Sequence, residues 1–279
     1  MAEDAFAPAS LTTGAVAVLE TADPAAKASA SRRLAEIWFT GSLGVGDAVP
    51  PLRPARPERP QLRPPKEMPK RRAFGSPAGR IALLHALAHI ELNAIDLAWD
   101  IVARFAVRET LPRAFYDDWV GVAAGEAVHF ELLVQRLAGL GGRYGDLPAH
   151  DGLWESAAAT AGDLLARLAV VPLVLEARGL DVTPQMAATL ERVGDPLSAA
   201  VLRRIYRDEI THVAAGIRWF DALCRARGLV PEKAFRERVR RHFKGELKPP
   251  FNHQARAAAG FPARYYEPLL RGDVPPLRG

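Results

Sequence analysis

Apolar positions recur at helical spacing along most of this chain. At 100° per residue, Leu84, Leu87, Ala88, Ala94, Ile95 and Ala98 fall on one helix face. Trp119, Val122, Ala123, Phe130, Leu133 and Leu137 form a second such stripe. Leu165, Leu168, Ala169, Pro172 and Leu173 form a third, and Leu202, Ile205, Val213 and Gly216 a fourth. No run alternates apolar and polar residues between turn signals, so no strand is predicted. Ser76-Pro77 opens a long helix to about Ala106, and Thr110-Leu111-Pro112 a second to about Leu140. A third is expected from about Leu153 to Arg178, ending at Gly179, and a fourth from Asp195-Pro196 to about Arg227. Shorter helices are expected in 9–40 (two, the second behind Asp23-Pro24), after Thr183-Pro184, and over 231–244.

The connections then set the topology. The link between the first two long helices is short. The next is a long irregular crossover, GGRYGDLPAHDGLWE. This fits an all-α protein, a four-helix bundle with one long crossover. Residues 50–69 are too proline-rich for regular helix and read as an extended strap. The expected organisation is N-terminal helices and strap over 1–75, the bundle over 76–245, and a largely irregular C-terminal tail over 246–279.

Composition narrows the class. With 279 residues, 49% hydrophobic and 25% charged, the chain has ordinary globular proportions and length for a sizeable core. Its longest apolar stretches are interrupted by Glu, His or Arg, so no membrane partner is expected. The start lacks the basic and apolar regions of a secretory signal. The lone Cys224 excludes an intrachain disulfide, and the expectation is a cytoplasmic protein. The net charge of +5 is uneven: Arg53 to Arg80 holds nine Lys/Arg against two Glu, leaving the remainder slightly acidic. Basicity therefore belongs to the strap, and packing on the bundle is favoured there over binding of RNA or another acidic partner.

Polar residues interrupting the apolar stripes carry the chemistry. Glu91 interrupts the first, Glu126 and His129 the second, Glu176 the third, Glu209 and His212 the fourth. The order is Glu, Glu-x-x-His, Glu, Glu-x-x-His, with 35 residues from Glu91 to Glu126 and 33 from Glu176 to Glu209. That is a repeated helix pair. Spacing of i, i+3 puts each Glu and His one turn apart on one face. Four carboxylates in an apolar interior are prohibitive as unpaired charges, and these stripes hold no Lys or Arg. Two divalent cations balance them, and mixed oxygen and nitrogen ligation suits iron or manganese. The ligand order is that of ferritin-like di-iron carboxylate bundles.

The chain resembles that superfamily, and more closely the DUF455 family of bacterial ferritin-like proteins. The resemblance rests on HALAHIELNAIDLAWDIVARF, FYDDWVGVAAGEAVHFELL, YGDLPAHDGLWE, RLAVVPLVLEARGLDVTP, YRDEITHVAAGIRWF and LKPPFN, and covers nearly the whole chain. It implies a ferritin-like bundle with a di-metal site at Glu91, Glu126, His129, Glu176, Glu209 and His212, holding two iron ions or a mixed Mn/Fe pair. The expected function is an O2-activating oxidase or oxygenase. Its partners would be O2 or peroxide and a small-molecule substrate or electron donor. The alternatives are metal handling, peroxide scavenging, or a bundle with a purely structural metal site. A nucleic-acid substrate is a disfavoured third course, supported only by the strap.

Several neighbours have weaker claims. Asp208 is placed to hold His129 by its free ring nitrogen, as outer carboxylates commonly do. Tyr206, one turn before Glu209, reads either as a donor to the site or as core with a satisfied hydroxyl, the latter favoured. Pro172 should kink or bulge its helix one turn before Glu176. His85 and His89 share a polar face with Asn93, Asp96 and Asp100, read as an interhelical contact in which an aspartate anchors an arginine. Arg256 and the PPFN run read as tail docking.

Overall fold

The computed structural model describes residues 7–68 and 75–270. They are helical, with no strand among them. A single parallel bridge joins Leu62 to Ala149. The helices are α1 (Leu11–Glu20), α2 (Pro24–Phe39), α3 (Pro77–Ala106), α4 (Arg113–Ala138), α5 (Gly152–Ala159), α6 (Leu164–Val170), α7 (Ala177–Arg192), α8 (Pro196–Ala226), α9 (Pro231–His242) and α10 (His253–Ala258). Two compact units result, one of residues 1–158 and 186–202, the other of 159–185 and 203–279.

In the first unit α3 packs along α4, with α1 on α3 and α2 on α4. Caps start these helices, at Asp23 and Ser76 where the sequence predicts and at Ser10 besides. The Ser10 hydroxyl accepts from Thr13 N, the Asp23 carboxylate from Ala26 N, and the Ser76 hydroxyl from Gly79 N. Ser31 is buried among three helices. Its hydroxyl donates to the Ala123 carbonyl at 3.0 Å and accepts from Trp99 Nε1 at 2.8 Å. Helix α3 alone among the described helices is long and apolar enough to cross a membrane, and 72% of its apolar window is buried inside the protein, as in a core helix.

The polar face of α3 is where the strap docks. Lys27 of α2 is buried, and its Nζ donates to Asp96 at 2.6 Å and to the Ala55 carbonyl at 3.2 Å. Burial pulls the Lys27 pKa down, against the raising pull of Asp96. Arg56 of the strap bonds Asp96 as well, and donates to Asn93 at 2.6 Å. Arg53 pairs with Asp151, and Arg104 holds Asp100 while donating to the Pro51 carbonyl at 2.9 Å. Ala55 N donates to the Leu19 carbonyl, and Arg63 N to the Ala149 carbonyl. The strap thus lies on the first unit through buried acids of α3. Its last residues, 69–72, fall outside the described residues.

Further along α3, His89 bonds the Tyr144 hydroxyl at 2.8 Å, and His85 Nε2 accepts from Gly145 N at 2.9 Å. These contacts fix the crossover. Arg136 donates to Asp195 at 2.8 Å, and the Asp195 carboxylate also accepts from Ser198 N and Oγ at the start of α8.

The second unit departs from the expected third helix. Instead of one helix from Leu153 to Arg178, the chain breaks after α5, and the Asp163 carboxylate caps α6 by accepting from Ala166 N. After α6 the backbone widens into a π-helical turn, Val171–Glu176, with Pro172 at its start. The bulge expected at Pro172 is therefore present. Helicity then continues through Gly179, with no stop, and through Pro184 to Arg192. Pro184 lacks an N–H to give the carbonyl four residues earlier. Asn252 supplies the donor, its Nδ2 standing 3.2 Å from the Leu180 oxygen.

The tail docks on this same unit. Arg256 grips Asp181 through two bonds, of 2.8 and 2.7 Å, and lies against the rings of Tyr266 and Phe251. Helix α9 packs on α6. Cys224 is fully buried, and burial pushes its thiol up to about 11. Gly216 of α8 is required by a close approach. A Cβ there would meet Pro172 Cβ at 2.6 Å and Cγ at 2.8 Å.

Candidate metal centre

In the first unit three of the expected donors converge. Glu91 comes from α3, and Glu126 and His129 from α4. His129 Nδ1 lies 3.4 Å from Glu91 Oε2 and 3.3 Å from Glu126 Oε2. Exposure is 0% for His129, 1% for Glu126 and 6% for Glu91, so these groups are removed from bulk water. Burial raises the Glu91 carboxyl well above the usual range, and the Glu126 charge adds to it. For His129 burial opposes the charged form, but the bonds and charges of Glu126 and Glu91 outweigh it and push the imidazole up to about 11.

The second unit repeats the pair. His212 Nδ1 lies 3.4 Å from Glu209 Oε1, both on α8, with exposures of 5% and 7%. Glu176 closes the π-helical turn and is partly buried. Asp208 accepts from Arg204 Nε at 2.6 Å, one turn back on α8. The Tyr206 hydroxyl accepts from Asn252 Nδ2 at 3.2 Å, which supports the satisfied-hydroxyl reading.

The donor spacing is informative. Separations of 3.3–3.4 Å are long for an N–H···O bond. Two ligands each about 2.1 Å from one ion stand roughly 3.0–3.4 Å apart, depending on the angle at the metal. Both Glu-x-x-His pairs meet that requirement through Nδ1, and the mixed oxygen and nitrogen donors suit a first-row transition metal. A buried Glu/His cluster able to hold a metal ion is therefore present, and the residues fit the expected group.

Sequence pattern does not single out one other charged cluster. Arg178 and Asp181 form an i, i+3 pair just behind the π-helical turn, 3.5 Å apart. Opposite charges at that spacing flanking Gly179 were the available signal, masked because the helix was expected to end there.

Comparison with known proteins follows the same lines as the sequence motifs. The family model described as "Protein of unknown function (DUF455)" matches residues 20–267. An uncharacterised protein of Haemophilus influenzae is 46% identical over 215 residues, an alignment covering 74% of this chain and 73% of that protein. No solved structure matches.

Proposed function

The chain belongs to the DUF455 family, and from that premise we propose that it is a ferritin-like di-metal carboxylate protein, an O2-activating oxidase or oxygenase. Glu91, Glu126, His129, Glu176, Glu209 and His212 hold two iron ions, or a mixed Mn/Fe pair. The observation that carries this reading is the ligand-like spacing of both buried Glu-x-x-His pairs, at 3.3 and 3.4 Å. Glu126, His129, Glu209 and His212 are buried and of the kind that could hold a metal ion.

When bound, such ions supply the electrons for reduction of O2 or peroxide. The residues around the donors have their own tasks. Glu126 and Glu209 present carboxylate oxygens one turn from their histidines, so each helix delivers a charged and a neutral ligand on one face. Leu84, Ala88, Ile95 and Ala123 line the same α3 and α4 faces and are fully buried, which keeps water from the carboxylates. The π-helical turn rotates Glu176 relative to a regular helix, and Pro172 against Gly216 fixes that turn. Asp208 is assigned the orientation of His129 through the free ring nitrogen.

Metal analysis of purified protein, with absorption spectra before and after air is admitted to the ferrous-loaded form, tests the proposal. Bound iron and a spectral change on oxidation are expected, with both lost in Glu126→Ala/Glu209→Ala. Metal content unchanged in that double variant would sink the assignment. Bound iron that stays ferrous in air would leave a structural metal site. Rapid peroxide consumption without an organic substrate would favour scavenging.

A further inference from the structure

The second unit contains a cavity of about 190 Å³ that the metal reading does not use. Val174 and Leu175 of the π-helical turn form one apolar wall. Phe243, Leu247 and Phe251, from the segment between α9 and α10, form the other. A cavity of about 150 Å³ holds benzene, so this one admits a six-membered ring with one small substituent.

Its charged residues set the substituent. Arg178, Asp181 and Arg256 stand together at one end, and Lys248 and Glu246 contribute at the exposed segment. The Asp181 side chain is fully buried, bonds Arg256 at 2.7 Å with Arg178 at 3.5 Å, and also accepts from Asn252 N at 2.9 Å. Arg256 Nη1 is buried and makes no hydrogen bond among the described residues. Arg178 is 39% exposed and spends Nη1 on the Lys248 and Pro250 carbonyls, at 2.7 and 3.1 Å. A guanidinium has five donors in a fork that matches a carboxylate. The lining holds three cations, Arg178, Lys248 and Arg256, against two carboxylates, Asp181 and Glu246, a net charge of +1, and Asp181 stands nearer Arg256 (2.7 Å) than Arg178 (3.5 Å), so Arg178 is the less compensated guanidinium.

We propose that this cavity binds a small organic monocarboxylate with a compact apolar body, its carboxylate on Arg178 and its body between the π-helical turn and the tail. None of the proposed metal donors lines the cavity, so the two assignments stand or fall separately.

Calorimetric titration of the full chain with sodium benzoate tests this. Benzoate should bind once per chain, at least tenfold more tightly than acetate, which lacks the body, or benzyl alcohol, which lacks the charge. Arg178→Gln should weaken benzoate at least tenfold, and Leu247→Trp, which fills the apolar side, should do the same. Melting curves establish that each variant is folded. No heat with benzoate, equal affinity for benzyl alcohol, or full affinity in a folded Arg178→Gln or Leu247→Trp protein would overturn the proposal.

Discussion

Replacing Gly216 by alanine should destabilise the protein, although alanine is the better helix former. Two effects compete. In a helix interior Gly→Ala contributes about 1 kcal/mol of stability through propensity. Against it, the new methyl would stand 2.6 and 2.8 Å from two ring carbons of Pro172, and carbons pack at about 3.5–4.0 Å. A displacement of about 1 Å is needed. The proline ring cannot swing aside, because it is closed on the backbone of the π-helical turn, and Leu173 Cδ2 is a further contact of the new methyl at 3.6 Å. Overpacking of this kind costs typically about 1–3 kcal/mol. The upper part of that range applies, giving a net loss of about 1–2 kcal/mol after the propensity gain. Gly121 is the internal control. It sits in α4, exposed, with no heavy atom within 4 Å of an added Cβ. Gly121→Ala should therefore raise stability by about 0.5–1 kcal/mol. Urea unfolding at constant m-value measures both. The midpoints should move in opposite directions, and Pro172→Gly, which removes both contacting carbons, should relieve the penalty at 216. A Gly216→Ala protein as stable as the Gly121→Ala protein would refute the close-packing account of the turn.

Two further outcomes concern the first unit. Asp96→Ala, which leaves buried Lys27 and half-buried Arg56 without their shared carboxylate, should cost about 3–5 kcal/mol. Lys27→Met should cost clearly less, because Arg56 still bonds Asp96; chemical denaturation ranks the two. Burial would raise the Asp195 pKa, but bonds from Ser198 and Arg136 outweigh it and hold the carboxyl below its ordinary value. The folded form thus binds its proton less readily than the unfolded chain. This stabilisation is fully present above about pH 4 and is lost as pH falls through the folded pKa. Asp195→Asn should flatten the acid limb of a stability-versus-pH curve; an unchanged limb would contradict this.

Helix starts and the Glu and His positions were legible because both depend on local spacing. Ser76, Asp23 and the Glu-x-x-His pairs act within one turn, and the structure places caps at Ser76 and Asp23 and brings each Glu beside its His. The aspartates on the polar face of α3 were readable as anchors for arginine, though that Lys27 would share Asp96 was not. What failed was the course of the third helix. Gly179 and Pro184 are stop signals only if nothing else intervenes. Gly179 adopts helical geometry, and the lost Pro184 bond is replaced from Asn252, 68 residues downstream, which no local pattern contains. The break before α6 was readable in principle, since Asp163 is a favourable cap, but the surrounding alanines and leucines fitted a continuous helix equally well.

The bond from Asn252 to the Leu180 carbonyl ties the history of two positions together. A side chain in the tail meets a need created by proline at 184. Replacement of Asn252 leaves a carbonyl unserved as long as that proline remains, whereas a residue with an N–H at 184 would serve the carbonyl from within the helix. Mutational paths through this pair are therefore ordered: exchange at 184 first lifts one demand on 252, which still caps α10 and bonds Tyr206, and the reverse order passes through a weakened intermediate. The two positions form an epistatic pair whose dependence comes from one backbone oxygen.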